Sequence, residues 1–72
     1  MPTYREIADL IAARIRAGEW KVGEKVHSTQ AFADEYEVSE ATAYRGLSLL
    51  VDRGLLVGRS GSGRFVAHRS SH

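Results

Sequence analysis

The sequence predicts a small α+β domain, mainly α, in which three helices are followed by a β-hairpin. Three observations carry that prediction. Apolar residues first recur at helical spacing, at Tyr4, Ile7, Ala8, Ile11 and Ile15. Two serines, Ser28 and Ser39, then stand as candidate N-caps before further helical stretches. After Gly54 the period changes, and Leu55-Leu56-Val57 and Phe65-Val66-Ala67 form short β-type runs around a Gly/Ser centre.

The first helix is expected from about Thr3 to Ala17, with Gly18 ending it. Arg5, Glu6, Asp9, Arg14 and Arg16 fall between its apolar positions. The stretch GEWKVGEKV follows as a turn, and its apolar residues Trp20 and Val22 are expected to plug the core. Ser28 caps a second helix, Thr29 to about Tyr36, whose apolar residues are Ala31, Phe32 and Tyr36. The turn EYEVS leads to Ser39 and a third helix, Glu40 to about Arg53, stopped by Gly54. Its inward face is predicted to be Ala43, Leu47 and Leu50, with Gly46 permitting a close crossing. The hairpin tip is expected from Arg59 to Gly63, where Gly61 and Gly63 supply the unusual backbone angles of a tight turn. The chain reads as one domain over 1–72, with an ordered core of about 3–67 and a flexible tail over 68–72.

With 72 residues the chain is one small domain. A domain of this size buries only about 60% of the surface its unfolded chain exposes, which leaves little room for an enclosed active site. No cysteine is present to form a disulfide or a thiolate metal site. His27, His68 and His72 lack metal-ligand spacing, so no metal and no cofactor are expected. No Ser/His/Asp set falls on elements that could unite it, and an enzyme is not expected. No apolar run approaches the roughly 18 residues of a membrane span, and the N-terminus has no apolar signal core. Net charge is only +1, but it is unevenly spread. Met1 to Asp52 carries six Lys/Arg against nine Asp/Glu, whereas Arg53 to His72 carries four arginines and no acid. A basic tail behind an acidic body is an asymmetric electrostatic footprint.

Helix, helix, short turn, helix and glycine-tipped hairpin is the order of a winged helix-turn-helix. The stretches IADLIAARIRAGEWKVGEKVHS, FADEYEVSEATAYRGLSLL, DRGLL and GSGRFVA resemble the N-terminal DNA-binding domain of GntR-family bacterial transcription regulators. The resemblance covers about Tyr4 to Ala67. Its spacing of Gly18, Gly23, Ser28, Val38-Ser39, Thr42, Leu47, Gly54-Leu55-Leu56 and Gly61-Ser62-Gly63 is specific as a set. The resemblance implies that the recognition helix, 40–53, enters the major groove and that the wing, 59–64, reaches the minor groove. It places Ser28 on phosphate, Ser39, Thr42 and Arg45 on the recognition helix, and Gly61 and Gly63 in the wing. Together with their neighbours, the candidate DNA-contacting residues are Ser28, Gln30, Ser39, Glu40, Ala41, Thr42, Tyr44, Arg45, Arg59, Ser60, Gly61, Ser62, Gly63 and Arg64.

Several positions depart from the family pattern. His27 stands where a proline is usual, and Gln30, Glu40 and Tyr44 stand where arginine is usual or common. Glu40 puts a negative charge at the start of the recognition helix. On the residues alone, Ser39 is a helix cap that needs no DNA, and Tyr44 is either a phosphate or thymine contact or a half-buried ring. Arg59 and Arg64 flank an acid-free tip, and narrow minor grooves attract inserted arginine. GRSGSG also resembles a phosphate-cradling loop, but a strand follows it and the required lysine is absent. Leu10, Leu49 and Val51 occupy positions that the family usually leaves polar. They read as repacked core, or alternatively as an exposed patch for a second protomer or another protein.

The function expected is a sequence-specific DNA-binding transcription regulator, a repressor, in the bacterial cytoplasm and associated with the nucleoid. Its partner is double-stranded DNA, with no membrane. Paired half-sites allow a homodimer that forms only on the DNA. Such regulators carry a further C-terminal domain, and this chain ends almost where the wing ends. It is therefore either a cut-out domain or a stand-alone regulator, and no small-molecule effector site is expected within it. Two other readings remain: a winged-helix protein-interaction module, and an architectural or excision-type DNA-binding factor of a mobile element.

Overall fold

Thr3 opens the first helix, α1 (Tyr4–Arg16), through a reciprocal pair of hydrogen bonds. Its hydroxyl accepts from the Glu6 amide at 3.2 Å, while its own amide donates to Glu6 Oε1 at 2.7 Å. Two donors that the helix leaves unpaired are thereby satisfied. The helix closes at Gly18, whose φ of 86° is one that a side chain disfavours. Gly18 donates to the Ile15 carbonyl and Glu19 to that of Arg14, both at 3.0 Å, so the last carbonyls are also paired. These features come from a computed structural model that describes residues 2–68. The expected flexible tail lies, apart from His68, outside the described residues.

Two further helices follow, α2 (Thr29–Tyr36) and α3 (Glu40–Asp52), then two strands, β1 (Leu56–Arg59) and β2 (Gly63–Val66). Ser28 and Ser39 cap the helices as the sequence predicts, accepting from the Ala31 and Thr42 amides at 3.1 Å. The strands pair antiparallel, Leu56 with Val66 through Arg59 with Gly63. The turn is Ser60–Ser62, so Arg59 and Gly63 close the ladder and are not part of the loop. Gly61 and Gly63 take φ of 76° and 105°, as the hairpin reading requires.

The core lies between the helices and the inner face of the hairpin. Ile7, Ile11, Phe32, Leu47, Leu50 and Leu56 are almost wholly buried within it. The inward face of α3 is the predicted Ala43, Leu47 and Leu50, with Gly46 also buried. The segment Gly23 to Val26 covers the second edge of β2. Gly23 donates to the Val66 carbonyl, Val66 to that of Glu24, and Val26 to that of Arg64, at 2.9–3.0 Å. The wing is thus paired on both sides of β2, a long-range feature with no local signature.

Two assignments from the sequence, those of Val22 and Leu10, are corrected, and the placing of Ala31 and Arg14 adds what apolarity and charge alone do not give. Trp20 is buried, but Val22 is 55% exposed, and Val26 fills the core in its place. Val22 sits inside the turn that Lys21 and Glu24 close, with the Glu24 amide on the Lys21 carbonyl, and this turn projects into solvent. On α2 the exposed residue is Ala31 and the buried one is Ala33, because the helix turns Phe32 and Ala33 inward together. Leu10 is not repacked core: it lies at the margin of the α1 stripe and is 47% exposed, whereas Leu49 and Val51 do pack partly against the core. Arg14 reaches across to α2. It donates to the Tyr36 hydroxyl at 2.8 Å and pairs with Glu19 and Glu35. Its guanidinium lies over the Trp20 and Phe32 rings, 4.9 and 5.7 Å from their centroids. Flat and weakly hydrated, a guanidinium can sit on apolar rings and still bond sideways to carboxylates.

Candidate nucleic-acid interface

Three elements meet around one exposed face. The N-terminus of α3 is built by Ser39, whose hydroxyl accepts from the Thr42 amide and donates to Thr42 Oγ1 at 3.0 Å. That bond fixes the Thr42 rotamer and leaves its own hydroxyl proton free for an outside acceptor. Glu40 and Ala41 follow, both exposed in the first turn. From Ala41 a solvent-facing ridge runs down the helix through Tyr44, Arg45 and Ser48 to Asp52, at helical spacing.

Arg45 does not project freely from this ridge. Its guanidinium stacks over the Tyr4 ring, 4.3 Å from the centroid, so α1 orients it. The Tyr4 hydroxyl is held below the ordinary phenol value, chiefly by hydrogen bonding to Arg5 and more weakly by Arg45.

The N-terminus of α2 faces the wing across a cleft lined by Lys25, Ser28, Thr29, Gln30 and the stretch Gly61–Arg64. Ser28 is occupied as an acceptor by its capping bond but keeps a hydroxyl proton to donate. Gln30 is exposed beside it. His27, in the position where a proline is usual, lies over the buried aromatics, 5.5 Å from Trp20 and 5.2 Å from Phe32 between centroids. Ser60, Gly61 and Ser62 form the exposed tip, and Gly63 follows as the first residue of β2, also exposed. Arg59 is exposed at its base, 5.5 Å from the Phe65 ring centroid, whereas Arg64 turns back toward the helices. No Asp or Glu follows Asp52, so the wing carries positive charge alone.

The structure therefore gathers Ser28, Gln30, Arg64 and the wing tip around one cleft, with Thr42, Tyr44 and Arg45 on the adjoining helix. Lys25 was not a candidate from the sequence. Its bridge to Phe65, some forty residues away, carries it under the wing. A Cβ at Gly63 would stand 2.7 Å from Lys25 Cε, the far end of a side chain that can swing aside, so the φ of 105° is what calls for glycine there. A contact of that sequence separation leaves nothing local to read.

Among the described residues no helix is long and apolar enough to cross a membrane. The family model for bacterial regulatory proteins of the gntR family matches residues 3–66. The mannosyl-D-glycerate transport/metabolism system repressor MngR of Escherichia coli K12 is 38% identical over 65 residues, covering 90% of this chain and 27% of that protein. The structure of YydK from Bacillus subtilis superposes with a TM-score of 0.86 at 29% identity, covering 100% of this chain and 32% of that one. BusR of S. agalactiae, solved in complex with its busAB-promotor DNA, gives a TM-score of 0.83 at 37% identity, covering 94% of this chain and 33% of that one. The chain spans 14–28% of the length of the curated relatives it matches. A family match from the α1 cap to the last residue of β2, on a fold of three helices and a wing, shows that the chain belongs to the gntR family of bacterial regulatory proteins.

Proposed function

We propose that this chain is the sequence-specific, double-stranded DNA-binding module of a transcription regulator, and that it represses by occupying DNA. The observation that carries the reading is the continuity of the exposed α3 ridge with an acid-free wing, bridged by Arg64. An exposed α-helical face fits the major groove, where base edges present distinct donors and acceptors. Arg45, Thr42 and Glu40 read base edges, and the Ala41 methyl packs on them. Ser28, Gln30 and Lys25 take phosphates at the start of α2, where helix amides favour an anion. Arg59 enters the minor groove, Ser60 and Ser62 bond to the sugar-phosphate backbone, and Gly61 and Gly63 let the strand approach closely. Ser39 acts by fixing the first turn of α3. Two copies meet on paired half-sites, in the bacterial cytoplasm at the nucleoid.

The DNA complex solved for BusR and the repressor names of MngR and the histidine utilization repressor of Klebsiella aerogenes support this reading. No catalysis is required. Immobilised protein, incubated with fragmented bacterial genomic DNA and washed, tests it. Sequencing should show a small set of fragments sharing one motif. Recovery of fragments in proportion to their input would contradict sequence-specific binding.

A further inference from the structure

Arg64 departs from the expected behaviour of a wing arginine. It leaves β2 beside Gly63, and its Nη1 donates to Thr29 Oγ1 at 3.0 Å. Its guanidinium carbon lies 5.2 Å from the centroid of the Tyr44 ring. Thr29 is the first residue of α2, and Tyr44 lies within the exposed ridge of α3. One side chain therefore touches all three elements of the candidate interface. Arg59, at the opposite end of the turn, is exposed and, among the described residues, stacks only within the hairpin.

This arrangement has two physical consequences. A free arginine loses much rotamer freedom when it binds a ligand, and one already held loses less. A guanidinium also has five N–H donors in one plane. Thr29 takes one through Nη1, the one side-chain hydrogen bond of Arg64 among the described residues, and the Tyr44 ring centroid lies 5.2 Å from the guanidinium carbon. Donors at the edge stay free for a planar or tetrahedral anion, which a guanidinium grips through paired bonds.

We propose that Tyr44 and Thr29 are positioning residues for Arg64. They hold its guanidinium in the notch between wing and α3, so that its free donors meet a DNA phosphate at the edge of the major groove. The wing then docks as one body with α3. Tyr44 acts through Arg64 and makes no DNA contact of its own. This role rests on the DNA-binding reading of the α3 face.

Two measurements test it. In the DNA-free protein, nuclear magnetic resonance should find the Arg64 side-chain protons shifted upfield by the Tyr44 ring. The shift should persist in Tyr44→Phe and vanish in Tyr44→Leu. Sheared mixed-sequence duplex DNA then serves as the binding probe, because a phosphate contact does not depend on sequence. Tyr44→Leu and Thr29→Val should each weaken binding by about two- to fivefold, the size expected of one exposed cation–π contact or neutral hydrogen bond. Neither should weaken it further in an Arg64→Ala background, and Tyr44→Phe should bind like the unaltered protein. Arg64→Ala itself should make the salt slope shallower by up to about one unit. Unshifted Arg64 protons, or a Tyr44→Leu loss that persists without Arg64, would overturn the proposal. Failure of the unaltered protein to bind any duplex would instead overturn the DNA-binding reading, and this role with it.

Discussion

Gly46 of α3 lies directly on Ile7 of α1, with no side chain of its own between the two helices. A Cβ at Gly46 would stand 3.1 Å from Ile7 Cγ2 and 3.0 Å from the Tyr4 carbonyl oxygen. Two effects oppose each other in Gly46→Ala. Alanine is the better helix former by about 1 kcal/mol. Overpacking a core typically costs about 1–3 kcal/mol, and here one neighbour is backbone that cannot rotate away. The clash should win, leaving Gly46→Ala less stable by about 1–2 kcal/mol in urea denaturation. A variant more stable than the parent would show that the crossing has slack.

Glu37 offers the opposite case. It ends α2 with φ 57° and ψ 47°, the left-handed conformation that glycine adopts after α1 and α3. Its amide and that of Val38 still close the helix onto Asp34 and Ala33, at 3.3 and 3.0 Å. A side chain in this region costs about 1–2 kcal/mol, partly offset in glycine by the extra freedom of the unfolded chain, about 0.4–1 kcal/mol. Glu37→Gly should therefore stabilise the domain by about 0.5–1 kcal/mol, read as a higher urea midpoint at unchanged slope. A lower midpoint would assign the Glu37 side chain a stabilising role.

Arg14 joins α1, the following loop and α2, and its surroundings hold its pKa above the ordinary arginine value, chiefly through the Glu19 hydrogen bond. The same contact holds the Glu19 carboxyl below its ordinary value of 4.5. A depressed carboxylate stabilises the fold above its unfolded pKa, and that contribution is lost as pH falls through the folded pKa. Arg14→Met keeps the apolar stem over Trp20 and Phe32 but loses the Tyr36 bond and the ion pairs. It should lower stability at neutral pH by about 1–2 kcal/mol. The gap between the two proteins should narrow between pH 5 and about pH 3. Thermal melts at both ends of that range check it, and a gap independent of pH would uncouple Glu19 from Arg14.

These three residues mark what the sequence makes legible. Gly46 was readable because a glycine in the middle of an apolar helical seam has few other uses. The caps at Ser28 and Ser39 and the stops at Gly18 and Gly54 were readable because each acts on neighbours within a few residues. Glu37 hid a helix end, since nothing about a glutamate announces a left-handed residue. The charge of Arg14 says nothing of its partners, because Glu35 and Tyr36 lie on another helix. Lys25 joins the candidate interface, and Arg64 folds back onto α3, through contacts spanning α2, α3 and the wing. Such contacts depend on the tertiary fold, and no periodicity encodes them.

Glu40 is the acidic residue at the positive end of α3, where the helix dipole favours a carboxylate by roughly 0.3–1 kcal/mol. In the proposed DNA-binding reading Glu40 would also accept a hydrogen bond from cytosine N4 and repel phosphate in a wrong register. Glu40→Gln should then tighten binding to mixed-sequence DNA by up to about fivefold, the scale of one exposed charge contact. Binding to the selected site should gain less, so the ratio between the two falls. Competition between the two duplexes at one fixed salt concentration measures this. Equal affinities for both proteins on both duplexes would leave the helix dipole as the whole reason for Glu40.

The central claim is that the α3 ridge and the wing together bind DNA, which brings their cations among its phosphates. Its most direct test is the affinity for the selected duplex as a function of salt concentration. Binding that neutralises Z phosphates falls with a log–log slope near −0.9Z. With Lys25, Arg45, Arg59 and Arg64 on this face, the slope should be about −3 to −4 per domain, and Arg59→Ala should make it shallower by up to about one unit. An affinity that hardly changes with salt, and that is the same in Arg59→Ala, would contradict the account and favour apolar docking to a protein.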